Sequence, residues 1–386
     1  MRIGVVVRDA LLVLALAPFA YYLLAILAAL RFFGARRKLA ANQDFTPSIS
    51  ILKPVRGLDN EAYESYASLC GQNYPEFEVL FGVSDANDPA IPEIERVIRD
   101  FPSRPIRLLI GSERVGASDK VNNLCRLARE ARHHILLVSD SDVRVGPGFL
   151  RAIVSEFRDP AVGGVTCLYR GMASGFAATL EALGDSGAFA PGVLVARLFG
   201  DIDFMLGAVM AVTAPQLASI GGFESLADYF SDDYELGSRI AAGGKRVILS
   251  RYPVSIVYPR ETLGQAFRHQ LRWNLSIRYS RPWGHFGLLF SHGLVWAILG
   301  AALAPSAAIV GAYLGAYLVL RCAMALAVGV MGMDDETTRR WWRLLPLRDA
   351  LAFAVWIASF FPQRIRWRGR EFYVREKRLI PVKPRP

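Results

Sequence analysis

Cysteine is scarce. The four present, Cys70, Cys125, Cys167 and Cys322, stand far apart, and no two form a Cys-x-x-Cys pair. That spacing excludes a zinc framework and a disulfide scaffold, and it fits a reducing compartment. Internal repeats and low-complexity segments are also absent, which excludes a repeat architecture. Acids are the minority charge: 35 Asp and Glu stand against 45 Lys and Arg, a net charge of +10 over 386 residues. A basic balance favours nucleic acid, anionic lipid or phosphorylated partners. Apolar residues make up 53% of the chain and the mean hydropathy is positive. The basic residues cluster beside apolar segments. Both facts move the reading from nucleic acid to a lipid bilayer.

The longest apolar run is LLVLALAPFAYYLLAILAAL, residues 11–30. Twenty uncharged residues at 1.5 Å rise span a hydrocarbon core of ~30 Å. No polar cleavage region follows, which argues against a signal peptide. Arg31, Arg36, Arg37 and Lys38 follow instead. The positive-inside rule then puts this end in the cytosol and the N-terminus outside. The expectation is an integral membrane protein with its soluble part on the cytosolic face.

Residues 47–260 change character. Short apolar runs (SISILKP, EVLFGVSD, IRLLIG, HILLVSD, VGGVTCL) read as strands. Helical patterns lie between several of them, at 60–71, 89–100, 119–131 and 148–157. This alternation predicts an α/β domain with a mostly parallel sheet, whose ligands sit beyond the carboxyl ends of its strands. Residues 262–285 are amphipathic, basic and aromatic, and read as an interfacial helix. Residues 286–331 hold two apolar stretches broken at Pro305, a membrane hairpin in which Arg321 must face protein or a polar region. Residues 332–386 form a basic, membrane-associated region with a short apolar helix at 350–361. Arginines flank that helix on both sides, which favours a re-entrant or interfacial placement.

The chemistry starts at ILLVSDSDVRV, residues 135–145. An apolar strand runs straight into Asp140 and Asp142. Two carboxylates so close repel each other unless a cation sits beside them. Mg²⁺ and Mn²⁺ are commonly held by one or two carboxylates together with substrate phosphates. The pair therefore suggests a metal–diphosphate site, with a solvated loop or a helix cap as the plainer alternative. Asp85 ends EVLFGVSD and reads as a nucleotide contact or, like Asp88, as an Asx-turn. Lys120 lies in the first turn of a helix capped by Ser118 or Asp119, where an anion is favoured; a solvated lysine is the alternative. Asp232 and Asp233 open a helix in SDDYELGSRIAAGG. They serve there as caps on the helix dipole or, for Asp233, as a general base. His269, Gln270, Arg272 and Trp273 lie in the amphipathic helix, as membrane anchors or as donor and acceptor contacts.

The order of these signals is more specific than any one of them. With SISILKPVRGLD, YPEFEVLFGVSDANDPAI, VGASDKVNNL, DSDVRV, GFAATLE, DDYELGSRIAAGG, QLRW and the late WRGREFYV, the chain resembles the inverting GT-A glycosyltransferases with D, D, D and (Q/R)xxRW motifs. Among these it is most similar to the ceramide glucosyltransferase family. The resemblance covers about residues 48–285. It implies a Rossmann-like GT-A catalytic domain over 47–260, joined to transmembrane and interfacial helices. It also implies a UDP-sugar donor, first of all UDP-glucose, a ceramide acceptor, and Mg²⁺ or Mn²⁺. By position, Asp233 is the base, and Asp140 and Asp142 hold metal and donor. Lys53, Asp85, Lys120, His269, Arg272 and Trp273 contact the donor. His269 departs from the motif, which has Gln or Arg there. A hopanoid acceptor with UDP-GlcNAc or another UDP-sugar is the near alternative. A polysaccharide synthase and a non-enzymatic membrane scaffold are the distant ones.

Overall fold

A computed structural model describes residues 2–34, 45–111, 113–361, 364–367 and 370–382. Arg36, Arg37, Lys38 and Arg368 lie outside the described residues. The chain divides into two compact units. One comprises residues 45–172, 200–259 and 364–382. The other comprises residues 2–34, 173–199 and 260–361. These cuts differ from the single stretch 47–260, because residues 173–199 belong to the helical unit and the C-terminal strands to the sheet unit.

The sheet unit is built on eight strands. They are β1 (Ile49–Val55), β2 (Phe77–Val83), β3 (Ile106–Ile110), β4 (Ile135–Ser139), β5 (Val143–Arg144), β6 (Val162–Met172), β7 (Val209–Thr213) and β8 (Arg246–Val257). Their order is β3-β2-β1-β4-β7-β6-β8-β5. β1 pairs in parallel with both β2 and β4, and β2 with β3. β6 and β8 are also parallel, while β7 runs antiparallel to β4 and β6. Every residue of β1, β2 and β4 is buried, which is why their sequences are nearly continuous apolar runs. Pro54 is tolerated in β1 because β4 pairs only with Ile49–Leu52; at Pro54 the strand has a single partner, Gly82 of β2. Pro253 likewise falls in the irregularity of β8 between Ser250 and Val254.

The helices Ala62–Cys70, Ile91–Asp100, Asp119–Glu130 and Phe149–Val154 match the four helical patterns. In Asp119–Glu130 the face carrying Val121, Leu124, Cys125 and Leu127 is buried against β1 and β2. A buried leucine there contributes about 1.5–3 kcal/mol. Ser118 caps this helix, its Oγ accepting from the Val121 N–H at 3.4 Å. Three strands not foreseen from the sequence, β9 (Ile365–Trp367), β10 (Arg370–Arg375) and β11 (Arg378–Pro381), form a small antiparallel sheet. The β10–β11 turn places Glu376 and Lys377 at positive φ.

The helical unit holds two helices long and apolar enough to cross a membrane, Val5–Gly34 and Ala307–Gly332. The bent pair Pro282–Ser291 and Gly293–Leu303, 52° apart, makes a third if it is one span. Outward side chains such as Val13, Val319 and Met331 are apolar and about 70% exposed, as a lipid-facing surface requires. Ala25 and Ala29, one turn apart, are buried instead, and such small residues let helix backbones approach closely. Arg321 is buried in a bidentate pair with Asp349 at 2.8 Å, and the Tyr317 hydroxyl donates to the same carboxylate at 2.9 Å. The amphipathic stretch folds as Leu263–Ser280, started by a reciprocal cap. Thr262 Oγ1 accepts from the Gln265 N–H, and Gln265 Oε1 accepts from the Thr262 N–H.

Candidate active site

The strand order turns back between β1 and β4: the chain moves from β1 out to β2 and β3, then returns to the far side of β1. A crevice forms at the carboxyl ends of strands at such a reversal. Lys53 near the end of β1, Asp85 beyond β2, and Asp140 and Asp142 beyond β4 all lie at these ends. The buried strand thus ends on two acids because it ends at the crevice.

Lys53 is completely buried. Its ammonium donates to the Asp140 carbonyl oxygen at 2.7 Å and lies 3.5 Å from Ser139 Oγ. Burial lowers its pKa to about 8 against the pull of Asp142, Asp140 and Asp59. In this geometry the lysine clamps the end of β4 through the backbone. Lys120 approaches from its helix, 2.7 Å from Asp140 Oδ1 and 3.8 Å from Asp232 Oδ2. Burial works against its charge, but Asp140 and Asp232 outweigh it and raise its pKa. Asp233 lies in the first turn of the helix Asp232–Ala242. Burial, then Asp232, push its carboxyl up to about 6 against the attraction of Lys120. Asp142 is raised to about 7 by burial and by Asp140 and Asp59. Five carboxylates therefore share one electrostatic neighbourhood with two ammonium groups.

This donor set is all oxygen and carries excess negative charge. It fits a hard divalent cation held by one or two carboxylates, with waters and phosphate oxygens completing the shell. Among the described residues no group of three or more His, Cys, Asp or Glu could hold a metal by itself, so a closed protein cage is not the arrangement.

The structure brings Lys53, Lys120, Asp140, Asp142 and Asp233 together. Asp85 is exposed and accepts from the Asn87 N–H at 2.9 Å, an Asx-turn. Asp88 accepts from the Gly57 and Ala90 N–H groups and braces the β1 loop. His269, Arg272 and Trp273 belong to the helical unit, all half-buried on the helix Leu263–Ser280. The His269 ring packs on the Trp273 ring at 4.7 Å.

Two participants escape a reading of the sequence alone. Asp59, which accepts from Ser141 Oγ and adds charge near Asp142, stands just past β1 in SISILKPVRGLD. As a further acid beyond a strand end, it carried a usable signal. Gly207 carried none: a Cβ there would lie 3.1 Å from Asp233 Oδ2, so a hydrogen side chain leaves the carboxylate its room.

The model of glycosyl transferase family 21 matches residues 10–380. Ceramide glucosyltransferase 1 of Caenorhabditis elegans is 27% identical over 230 residues, covering 59% of this chain and 49% of that protein. The ceramide glucosyltransferase of Gibberella zeae is 31% identical over 134 residues, 32% of this chain and 25% of its own length. These matches span about half, or less, of the curated relatives. In fold, the chain is similar to the mannosyltransferase PcManGT from Pyrobaculum calidifontis, solved with GDP-Man and Mn²⁺. The TM-score is 0.50 at 21% identity, over 91% of this chain and 99% of that one. The GT-A fold expected from the sequence is the fold observed.

Proposed function

Because the chain belongs to glycosyl transferase family 21, we propose that it transfers a sugar, first of all glucose, from a UDP-sugar to the primary hydroxyl of ceramide in the membrane, with inversion to a β-glycoside. The observation that carries this reading is the carboxylate cluster beyond β4, where Lys120 is held by Asp140, Asp232 and Asp233 and where Asp142 adjoins Asp140.

Asp233 takes the acceptor proton. A carboxyl raised to about 6 is ionised at neutral pH and basic enough to draw a proton as the hydroxyl attacks. The oxygen enters opposite the leaving diphosphate. Asp140 and Asp142 would hold Mg²⁺ or Mn²⁺, which when bound offsets the negative charge developing on UDP. Lys120 keeps Asp140 in place and adds positive charge on the same side. In this reading Asp85, past the end of β2, contacts the nucleoside. By the motif match, His269, Arg272 and Trp273 supply the remaining donor contacts. The apolar helices support a lipid acceptor, since a two-tailed lipid does not leave the bilayer and the chemistry must come to its surface. Arg31 and the basic residues after it favour the cytosolic face.

Purified full-length protein in lipid–detergent micelles tests this. UDP-glucose, UDP-galactose, UDP-GlcNAc and UDP-glucuronate are each paired with ceramide, with and without Mg²⁺ or Mn²⁺. A metal-dependent glycosylceramide is expected. If ceramide stays unmodified with every donor while a hopanoid polyol accepts sugar, the acceptor assignment falls. Asp233→Asn is expected to retain UDP-sugar binding and lose transfer by about 10²–10⁴-fold; normal transfer would remove the base from Asp233.

A further inference from the structure

Among the buried polar clusters outside the carboxylate site, one gathers on Glu181, wholly within the helical unit. At its centre is Glu181 on the helix Phe176–Gly184, with a side chain of zero exposure. His269 Nδ1 lies 2.6 Å from Glu181 Oε1, and the Gln270 side-chain amide donates to the same oxygen at 3.1 Å. Gln270 Oε1 in turn accepts from Arg348 at 2.8 Å. Glu261 meets Glu181 carboxyl to carboxyl. Glu181 Oε2 and Glu261 Oε1 have no other hydrogen-bond partner among the described residues, and one proton shared between the two acids satisfies both.

A bare carboxylate at such depth is costly unless its lone pairs are filled. Here three donors fill them, and two come from neighbouring residues of the motif helix. The geometry has a specific consequence for His269, the position at which the chain departs from (Q/R)xxRW. A carboxylate on one ring nitrogen sets both the tautomer and the orientation of an imidazole. With Nδ1–H directed at Glu181, the ring plane is held, and it is against this ring that Trp273 packs at 4.7 Å. A glutamine could accept or donate in either sense and would need no such anchor. A histidine presents a donor or an acceptor according to its tautomer, and the anchor fixes which.

We propose that Glu181 is a positioning residue that orients His269, and through it the Trp273 ring, so that histidine can stand at the first place of the motif. This rests on the transferase reading above. Glu181 itself touches no substrate in this scheme; it acts through the two rings.

The test is a double-mutant cycle on full-length protein in micelles, with transfer from UDP-glucose as one readout and His-selective ¹⁵N NMR as the other. Glu181→Ala, which removes the acceptor altogether where glutamine would keep one, is expected to lower kcat by about 10- to 100-fold with a smaller change in the KM for donor. His269→Gln sets its own baseline, and adding Glu181→Ala to it is expected to cost less than about twofold. In the spectra, the resonance assigned to His269 by its loss in His269→Gln should show a protonated Nδ1 in the parent and lose that state in Glu181→Ala. Should Glu181→Ala not fold, Glu181→Asp, which keeps the charge but shortens the arm out of reach of the ring, takes its place with the same expectations. Equal penalties in both backgrounds, or an Nδ1 state indifferent to residue 181, would overturn the proposal. If the parent protein transfers no sugar, the functional reading fails by that assay, while the NMR arm still decides whether Glu181 orients His269.

Discussion

Lys53 and Lys120 show how one residue type is put to two uses at a single aspartate, Asp140. Both are withdrawn from solvent. Lys53 meets a backbone carbonyl and is pushed toward neutrality, whereas Lys120 meets carboxylates and is held charged. The partner decides. Gly207 permits the third member of the site. Gly207→Ala would press a methyl against Asp233 Oδ2 and shift that carboxylate by a few tenths of an ångström. A fall in kcat of about tenfold with donor KM unchanged is expected; kinetics identical to the parent would mean that the carboxylate has slack. Glu261 makes a pH prediction. Its ordinary value is 4.5, and burial together with Glu181 raises it to about 8 in the folded protein. Between these two values the folded state binds more protons than the unfolded one. Stability from this group is therefore complete below about pH 4.5, declines as pH rises, and levels off above about 8. Glu261→Gln, which imitates the protonated acid, should flatten that slope in thermal melts recorded across the interval.

At the scale of elements, the β10–β11 hairpin does more than end the chain. The Phe230 N–H donates to the Lys377 carbonyl at 2.9 Å, and the Leu379 N–H donates to the Asp228 carbonyl at 2.7 Å. Asp228 also accepts from the Ala117 N–H at 2.9 Å. The hairpin is thus tied to the stretch that leads into Asp232 and Asp233, and that stretch is tied to the loop before Lys120. Ending the chain after residue 369 is expected to cut transfer by about 10²-fold with circular dichroism little changed. Full activity would show that the loop holds its own shape. The helices and most strands of the first half were legible because their periodicity and caps are local. The pattern over 119–131 predicts a helix with a cap at Ser118 or Asp119, and Ser118 is the cap. β9–β11 were not legible: short, charge-rich strands such as REFYVR carry little pattern and exist only through partners distant in sequence. The acids at the strand ends could be found because an apolar run stopping on a carboxylate is a local signal. Glu181 closes the stretch GFAATLE, but its contact was not legible there, because one acid inside an apolar helix names no partner until His269 is folded onto it.

At the scale of the whole molecule, the cost of buried charge sorts the two units. The sheet unit gathers acids where a cation and a diphosphate would balance them. In the helical unit the buried guanidinium of Arg321 is balanced by Asp349. Asp349→Ala would strand the guanidinium and the Tyr317 hydroxyl. A loss of about 3–5 kcal/mol is expected, read as a lower midpoint in detergent unfolding, and Arg321→Met in the same chain should recover part of it. A midpoint unmoved by Asp349→Ala would mean that the pair is not stabilising.

The sequence by itself determined the family, the alternation that makes a GT-A sheet, the apolar helices and the acids that end the strands, because each is written in neighbouring residues. Only the tertiary structure decided which of those groups meet. It spent Lys53 on a backbone carbonyl, drew residues 173–199 into the helical unit and gave His269 its buried partner, since contacts between residues so far apart in the chain arise from packing and leave no periodic trace in it.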